Sequence, residues 1–328
     1  MTKLRAGIAG LGVMGNHHTR VLSNLDGVEL VGIADPSSKQ KGKIPDNIIF
    51  DSVEELISKG IDYCIVSAPT NLHEELSIRL IESGIHVLIE KPIAHNLTSG
   101  MNILLAAEMH GVIGAVGHIE RYNSAAQEAR KRIQNGDLGS IYQIATRRQG
   151  PLPMRVMDVG VVKDLATHDI DLTSWVTEKK YLQVSAHAAF QTGRLYEDLV
   201  SVSALLEGSI VASHLVNWLS PLKERKTIIT GEKGTFVIDT LRSDLTYYEN
   251  GTLPVKQREI AHFKGVTQGD VRIFAFDKPE PLLLEHENFR DAVLGKNSEI
   301  VTLKEGIETL KVAEAVIKSY KNMESFKL

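Results

Sequence analysis

Asp164 and His168 stand four residues apart in a stretch whose apolar spacing predicts a helix over 164–176. That spacing puts both side chains on one helical face, where the carboxylate can orient the imidazole. An imidazole titrates near neutrality, so such a pair suits general acid–base work. Lys91 is the second candidate. It closes the apolar run 86–89 between Glu90, which can anchor it, and Pro92, which fixes the turn that aims it. Taken alone, a helical histidine is more often structural and a lysine more often a solvated surface residue. Their neighbours decide.

A third constellation concerns phosphate. Residues 9–15, Ala9-Gly10-Leu11-Gly12-Val13-Met14-Gly15, contain Gly-x-Gly-x-x-Gly. By itself that is weak, because the chain holds 26 glycines. Its context is specific: it follows a predicted strand, 4–9, and opens a predicted helix, 14–25. Gly10 permits a tight turn, Gly12 lets backbone approach a pyrophosphate, and Gly15 allows close helix packing. The N–H groups at the helix start, at Val13 and Met14, would then face the phosphate charge. Asp35 ends the next strand, 28–34, twenty residues after Gly15. It is placed to accept hydrogen bonds from both adenosine ribose hydroxyls and to repel a 2′-phosphate. Pro36, Ser37 and Ser38 follow without an arginine, which favours NAD over NADP, although Lys39 and Lys41 lie close.

These residues need a frame, and the alternation of short apolar runs with helical patterns supplies one. Strands over 4–9, 28–34, 48–50, 63–67, 86–89 and 113–116 alternate with helices over 14–25, 52–58, 72–82 and 97–109. The helix at 52–58 opens with a capping box, Ser52 with Glu55. Such a rhythm is that of a doubly wound parallel sheet, a Rossmann domain over 1–120. After Gly117 it changes. A helix over 124–135, a strand over 141–146, an irregular segment with Gly150, Pro151 and Pro153, and the helix at 164–176 lead into short alternating runs at 200–206, 210–215, 227–229, 235–238 and 245–248. Gly208, Gly231 and Gly234 punctuate them, which predicts a largely antiparallel open sheet. Helices over 282–293 and 303–320, the latter capped by Thr302 with Glu305, close an α+β domain over 121–328. The fold class is α/β, with the second domain serving substrate binding and oligomerisation.

The 328 residues carry a formal net charge of -4, and the densest basic cluster, 223–226, is interrupted by Glu224. No basic face points to nucleic acid. No run of about 18 apolar residues predicts a membrane span, and no secretory segment opens the sequence. One cysteine, Cys64, allows no intramolecular disulfide and reads as a small buried hydrophobe. A cytoplasmic protein is expected. The histidines lack ligand spacing, so no metal is expected.

Further motifs carry a resemblance. Ala68-Pro69-Thr70-Asn71-Leu72-His73 ends one strand and Glu90-Lys91-Pro92 the next, followed by Gly117-His118-Ile119-Glu120-Arg121-Tyr122-Asn123 and Asp164-Leu165-Ala166-Thr167-His168-Asp169. Together they resemble the family of glucose–fructose oxidoreductase and inositol dehydrogenase (Gfo/Idh/MocA) over essentially the whole chain. The stretch 148–171, with Gly150-Pro151-x-Pro153 and Asp158-Val159-Gly160-Val161-Val162, is most similar to its UDP-N-acetylglucosamine 3-dehydrogenase group. Two positions depart from the family pattern, Ser124 where proline is common and Gly100 where glutamate is common, and neither removes a chemical group.

The resemblance implies an NAD-dependent dehydrogenase that oxidises a sugar secondary alcohol, with His168 as base, Asp164 orienting it or contacting a hydroxyl, and Lys91 at the reacting oxygen. Ala68, Pro69, Thr70, Asn71, His73 and Glu90 would line the ribose–nicotinamide end, although Thr70 and Asn71 could equally cap the next helix. Arg121, Arg148 and Arg155 would serve the diphosphate of a UDP-sugar, and Tyr122 and Asn123 its hydroxyls. A salt-bridge role for any of the arginines is the alternative. Asp169 and Asp171 read as cap, packing or supporting groups, and His17 and His18 as packing or phosphate-side residues. The favoured reaction is oxidation of UDP-N-acetylglucosamine at C3. An inositol or free sugar is the alternative substrate, and a non-catalytic NAD-binding regulator the alternative of another class. A homodimer or homotetramer is expected.

Overall fold

The computed structural model describes residues 3–37, 46–152, 159–251 and 267–328. Its contacts divide the chain into two compact units, the first made of Met1–Ile119, Met154–Asp158 and Pro279–Glu314, the second of Glu120–Pro153, Val159–Lys278 and Ala315–Leu328.

In the first unit six strands form one parallel sheet, β1 (Leu4–Ala9), β2 (Val28–Ala34), β3 (Ile49–Phe50), β4 (Tyr63–Val66), β5 (His86–Glu90) and β6 (Gly114–Gly117), in the order β3-β2-β1-β4-β5-β6. The order reverses between β1 and β4, the arrangement of a doubly wound fold. Helices α1 (Val13–Leu22), α2 (Val53–Ser58), α3 (His73–Glu82) and α4 (Leu97–His110) are the crossovers. Alternation along the strands feeds two apolar layers. Tyr63, Ile65 and Leu88 join one cluster with Ala6, Ile8 and Leu22, while Cys64, Val66, Val87 and Ile89 join another with Leu56, Leu80 and Ile103. Burying both sheet faces explains the unbroken hydrophobicity of β4. Cys64 is free and buried, and burial pushes its thiol up.

Sequence order assigned everything after residue 120 to the second domain. The packing instead places α7 (Pro281–Val293) and the first part of α8 (Leu303–Asn322) with the first sheet. Phe289 meets Tyr63 edge-on with ring centroids 5.5 Å apart. The N–H of Val116 donates to the carbonyl of Val301 at 2.9 Å, and Ala115 pairs with Thr302 across the free edge of β6. An otherwise open strand edge is thereby closed.

The second unit holds α5 (Ser124–Gln134), α6 (Thr167–Thr177) and nine strands: β7 (Ile141–Pro151), β8 (Tyr181–Ala189), β9 (Leu199–Leu206), β10 (Ile210–Asn217), β11 (Leu219–Gly231), β12 (Gly234–Asp239), β13 (Asp244–Gly251), β14 (Thr267–Ile273) and β15 (Phe326–Lys327). Their order is β14-β13-β12-β11-β7-β10-β9-β8-β15. All neighbours are antiparallel except β10 and β7, which run parallel. One face is buried. Across the other runs a stripe fixed by register, Ser203, Ser213, Ala145, Ile228, Val237 and Thr246. Among the described residues no helix is long and apolar enough to cross a membrane.

The helix starts follow the capping signals. Ser52 accepts the N–H of Glu55 at 3.2 Å. Thr302 and Glu305 make the reciprocal box, with Glu305 N–H on the Thr302 hydroxyl at 3.3 Å and Thr302 N–H on the Glu305 carboxylate at 2.9 Å. Thr302→Ala is expected to cost about 1 kcal/mol, read as a lower thermal midpoint. An unchanged midpoint would show that other groups satisfy the N–H groups of the first α8 turn.

Candidate active site

In the first unit the chemistry gathers at the carboxyl ends of the parallel strands, where such sheets place ligands. Gly10 has φ of 101°, and a Cβ there would lie 2.6 Å from the backbone nitrogen of Ala68. Only glycine fits both conditions. A Cβ on Gly15 would lie 2.1 Å from the carbonyl oxygen of Gly10, so the first turn of α1 presses against the loop. Gly12 differs: a Cβ there would meet nothing within 4 Å. It caps α1 with no side-chain hydrogen bond and no acidic residue in the first turn. Exposed backbone N–H groups and the positive helix end face that open space, which suits a pyrophosphate. Asp35 accepts the N–H of Leu11 at 2.6 Å and of Ser37 at 2.7 Å. A carboxylate retains further lone pairs, so it can still take ribose hydroxyls. Ser38, Lys39 and Lys41 lie outside the described residues.

The turn after β4 carries Ala68, Pro69, Thr70 and Asn71, of which Pro69 and Asn71 are exposed and Thr70 is buried. His73 was expected to line the ligand. Its ring is buried instead, with Nε2 2.9 Å from the carbonyl of Ala68 and Nδ1 3.0 Å from that of Pro92. It lies between the turns after β4 and β5, where its neutral form donates to one of the two carbonyls, and burial lowers its pKa although both carbonyls and Glu90 oppose the shift. Lys91 is half-buried at the end of β5, and Glu90 beside it is buried. The Glu90 carboxylate accepts the Lys91 N–H at 3.1 Å and lies 3.0 Å from His18 Nε2. Burial pushes Glu90 up, but the His18 bond and charge, with Lys91, bring it below its ordinary value.

In the second unit Asp164 sits on a π-helical turn, Val162–Ala166, and His168 in the first turn of α6. The sequence predicted one α-helix. Single π turns recur at functional sites and redirect side chains. Glu197 secures this one: its carboxylate accepts the N–H of Val162 at 3.1 Å and the Tyr320 hydroxyl at 2.9 Å. A Cβ on Gly160 would collide with it at 2.1 Å. Asp164 and His168 are both buried.

Three expected substrate contacts are used internally. Arg148 is 2% exposed. It lies on the inner face of β7, two residues beyond buried Thr146, and donates to Glu120 at 2.7 Å and Asp169 at 2.9 Å. Burial disfavours its charge, yet the two carboxylates outweigh that and raise its pKa. Burial also lifts Glu120, but Arg148 and Arg225 bring it below the usual carboxylate range. Arg121 forms a buried fork with Asp171, at 2.8 and 2.6 Å. Neutralised guanidinium groups do not present net charge to a diphosphate. Asn123 caps α5, accepting the Ala125 N–H at 3.0 Å and donating to the Thr240 carbonyl and Ser243 hydroxyl. Tyr122 is buried. Arg155, with Pro153 and Asp158, lies outside the described residues.

The glycine, lysine and histidine positions were readable from local spacing. Glu120, Glu197, Glu285 and His286 were not singled out, since their partners are distant in sequence and no local signal marks them.

Residues 4–118 match the description "Oxidoreductase family, NAD-binding Rossmann fold", and residues 130–328 match "Oxidoreductase family, C-terminal alpha/beta domain". The chain is 25% identical to scyllo-inositol 2-dehydrogenase (NAD(+)) of Bacillus subtilis, over 98% of this chain and 95% of that protein. It is also 25% identical to UDP-N-acetylglucosamine 3-dehydrogenase of Acidithiobacillus ferrooxidans, over 76% of this chain and 79% of that one. The solved structure of the latter superposes with a TM-score of 0.84 at 22% identity, covering 98% and 99% of the two chains. WlbA dehydrogenase of Bordetella pertussis, solved with NADH and UDP-GlcNAcA, gives 0.85 at 21% identity over 99% and 98%.

Two glycines separate binding from folding. Gly12→Ala is expected to keep the thermal midpoint while weakening NAD about tenfold, or ~1.4 kcal/mol, by calorimetric titration. Gly15→Ala is expected to lose about 1–3 kcal/mol of stability through overpacking. The reverse pattern would contradict the cradle. Arg148→Ala strands two buried carboxylates and is expected to cost about 3–5 kcal/mol in denaturant unfolding.

Proposed function

Since the chain belongs to the Gfo/Idh/MocA oxidoreductase family and is an NAD-dependent dehydrogenase, we propose that it oxidises a secondary hydroxyl of a sugar, with UDP-N-acetylglucosamine at C3 as the favoured substrate. The observation that carries the reading is the strand-end Lys91, held beside ionised Glu90 in the same unit as the open Gly12 cradle. Bound NAD supplies the hydride acceptor. The loop glycines with the N–H groups of Val13 and Met14 hold its pyrophosphate, and Asp35 its adenosine ribose. Lys91 hydrogen-bonds the reacting oxygen as negative charge develops, and His168 takes the hydroxyl proton. Asp164 orients the imidazole or a neighbouring hydroxyl. A non-catalytic regulator would be expected to lack the lysine or the histidine, and Lys91, Asp164 and His168 are all present.

The similarity of residues 148–171 to the UDP-N-acetylglucosamine group supports the nucleotide sugar. One observation favours the second reading, an inositol or free sugar: Arg121 and Arg148, two of the three expected diphosphate donors, are bound to carboxylates inside the protein. The partly exposed stripe through Ile228 on the second sheet supports a homodimer or homotetramer.

Assays of NADH absorbance against UDP-sugars, inositols and hexoses separate these readings. Turnover with UDP-N-acetylglucosamine is expected, turnover with inositols alone would select the second reading, and NAD binding without any turnover would select the regulator. His168→Ala is expected to retain NAD affinity and lose about 10²- to 10⁴-fold in kcat. An intact kcat would remove the histidine from the base role.

A further inference from the structure

Four buried titratable side chains cluster in the first unit: His18 on α1, Glu90 at the end of β5, and Glu285 and His286 on α7. His18 is 0% exposed, and Glu285 and His286 are 1% exposed each. Hydride transfer to a dinucleotide does not itself require a buried pair of imidazoles. No group of three or more His, Cys, Asp or Glu among the described residues is arranged to hold a metal ion, so another reason for the cluster is needed.

The distances supply one. Glu90 Oε2 accepts the backbone N–H of Lys91 at 3.1 Å. Glu90 Oε1 is 3.0 Å from His18 Nε2, and His18 Nδ1 is 2.9 Å from His286 Nε2. The two rings meet edge-on at 79° with centroids 5.0 Å apart. We propose that Glu90, His18 and His286 form a hydrogen-bonded relay that fixes the backbone from which Lys91 projects, making His18 and His286 positioning residues for that lysine. The proposal rests on the dehydrogenase reading of Lys91 given above.

Chemistry orders the protons. An ionised carboxylate only accepts, so His18 carries its hydrogen on Nε2. Burial, and then His18, hold His286 well below its ordinary pKa, hence neutral. One hydrogen is shared between His18 Nδ1 and His286 Nε2, and it joins the two rings whichever of them carries it. One imidazole N–H thus points at the carboxylate and the second ring is hydrogen-bonded behind it, so that each bond polarises the next. The Lys91 N–H meets the same carboxylate from the strand side.

The surroundings keep that charge single. Burial, and then the charge on Glu90, push Glu285 well above the ordinary carboxylate value, which favours its neutral form. Gly117 stands across the strand pair, where a Cβ would lie 3.4 Å from the Glu90 carboxyl carbon and hem the group in. Beyond Lys91 the ring of His73 packs with Nδ1 3.0 Å from the carbonyl of Pro92. The lysine turn is therefore gripped on both sides.

His18→Leu breaks the relay, whereas His18→Gln can still donate to Glu90 and accept from His286. In His18→Leu, kcat is expected to fall about 10- to 100-fold, with the sugar KM and the Kd of NAD each within about threefold. His286→Leu should lose less, and the double leucine variant no more than His18→Leu alone, because the two act as one unit. His18→Gln should restore most of the turnover. Hydrogen exchange of the Lys91 amide in the NAD-free protein gives a readout without substrate. It is expected to quicken at least about tenfold in His18→Leu while the Val87–Ile89 amides stay protected. Unchanged Lys91 exchange in a folded variant would overturn the relay, as would a loss of NAD affinity matching the loss of kcat. If His18→Leu does not fold, His286→Leu carries the same comparison. Failure of the wild-type chain to turn over any sugar would sink the dehydrogenase reading and leave the exchange result to judge the relay.

Discussion

Glu90 and Arg148 are buried away from water, and an ion in such a place persists only beside an opposite charge or good hydrogen-bond donors. Glu90 remains ionised because His18 and the Lys91 N–H both point at it. Arg148 remains on the inner face of a sheet because Glu120 and Asp169 flank it. Remove such partners and the backbone they hold has no reason to stay: the lysine turn in one unit, the start of α6 in the other. Apolar packing builds both sheets, but the backbone that carries the candidate residues Lys91 and His168 is held by these few polar contacts.

The two units use the same physics differently. Around Glu90 the donors are one imidazole and a backbone N–H, and they hold the carboxylate close to the dinucleotide cradle. Around Arg148 the partners are two carboxyl groups, and Asp169 belongs to α6, the helix that carries His168. Fastening that helix to β7 through an ion pair leaves the π turn before it to absorb the irregular geometry, with Glu197 as its clamp. Arginines that sequence neighbourhood assigned to a ligand therefore serve as struts.

Legibility in the sequence followed the range of the interaction. Gly10 and Gly15 could be assigned because a tight turn and a close helix approach are demands a residue makes on its immediate backbone. The same holds for Ser52 with Glu55, Thr302 with Glu305, and the apolar runs of β1, β2 and β4. Illegible features join distant positions. His18 and His286 are separated by 268 residues, and nothing local to either marks the other. The parallel pairing of β7 with β10 looks like any alternating strand, and a π turn carries no period distinct from a helix over five residues. The internal bonds of Arg148 and Asn123 were not legible either, because neighbourhood in sequence shows that a side chain is near a site but not what it is bonded to.

The closure of β6 by residues 301 and 302 has a consequence for how the molecule is made. A ribosome releases all six strands of the nucleotide sheet long before it releases Phe289, Val301 or Thr302. Until then the nascent sheet shows an unpaired edge and an uncovered apolar face, the two features that invite association with other chains. Synthesis completes the first unit only after most of the second has emerged. A chain truncated after residue 278 would hold the whole dinucleotide loop, yet lack the layer that seals the sheet behind it.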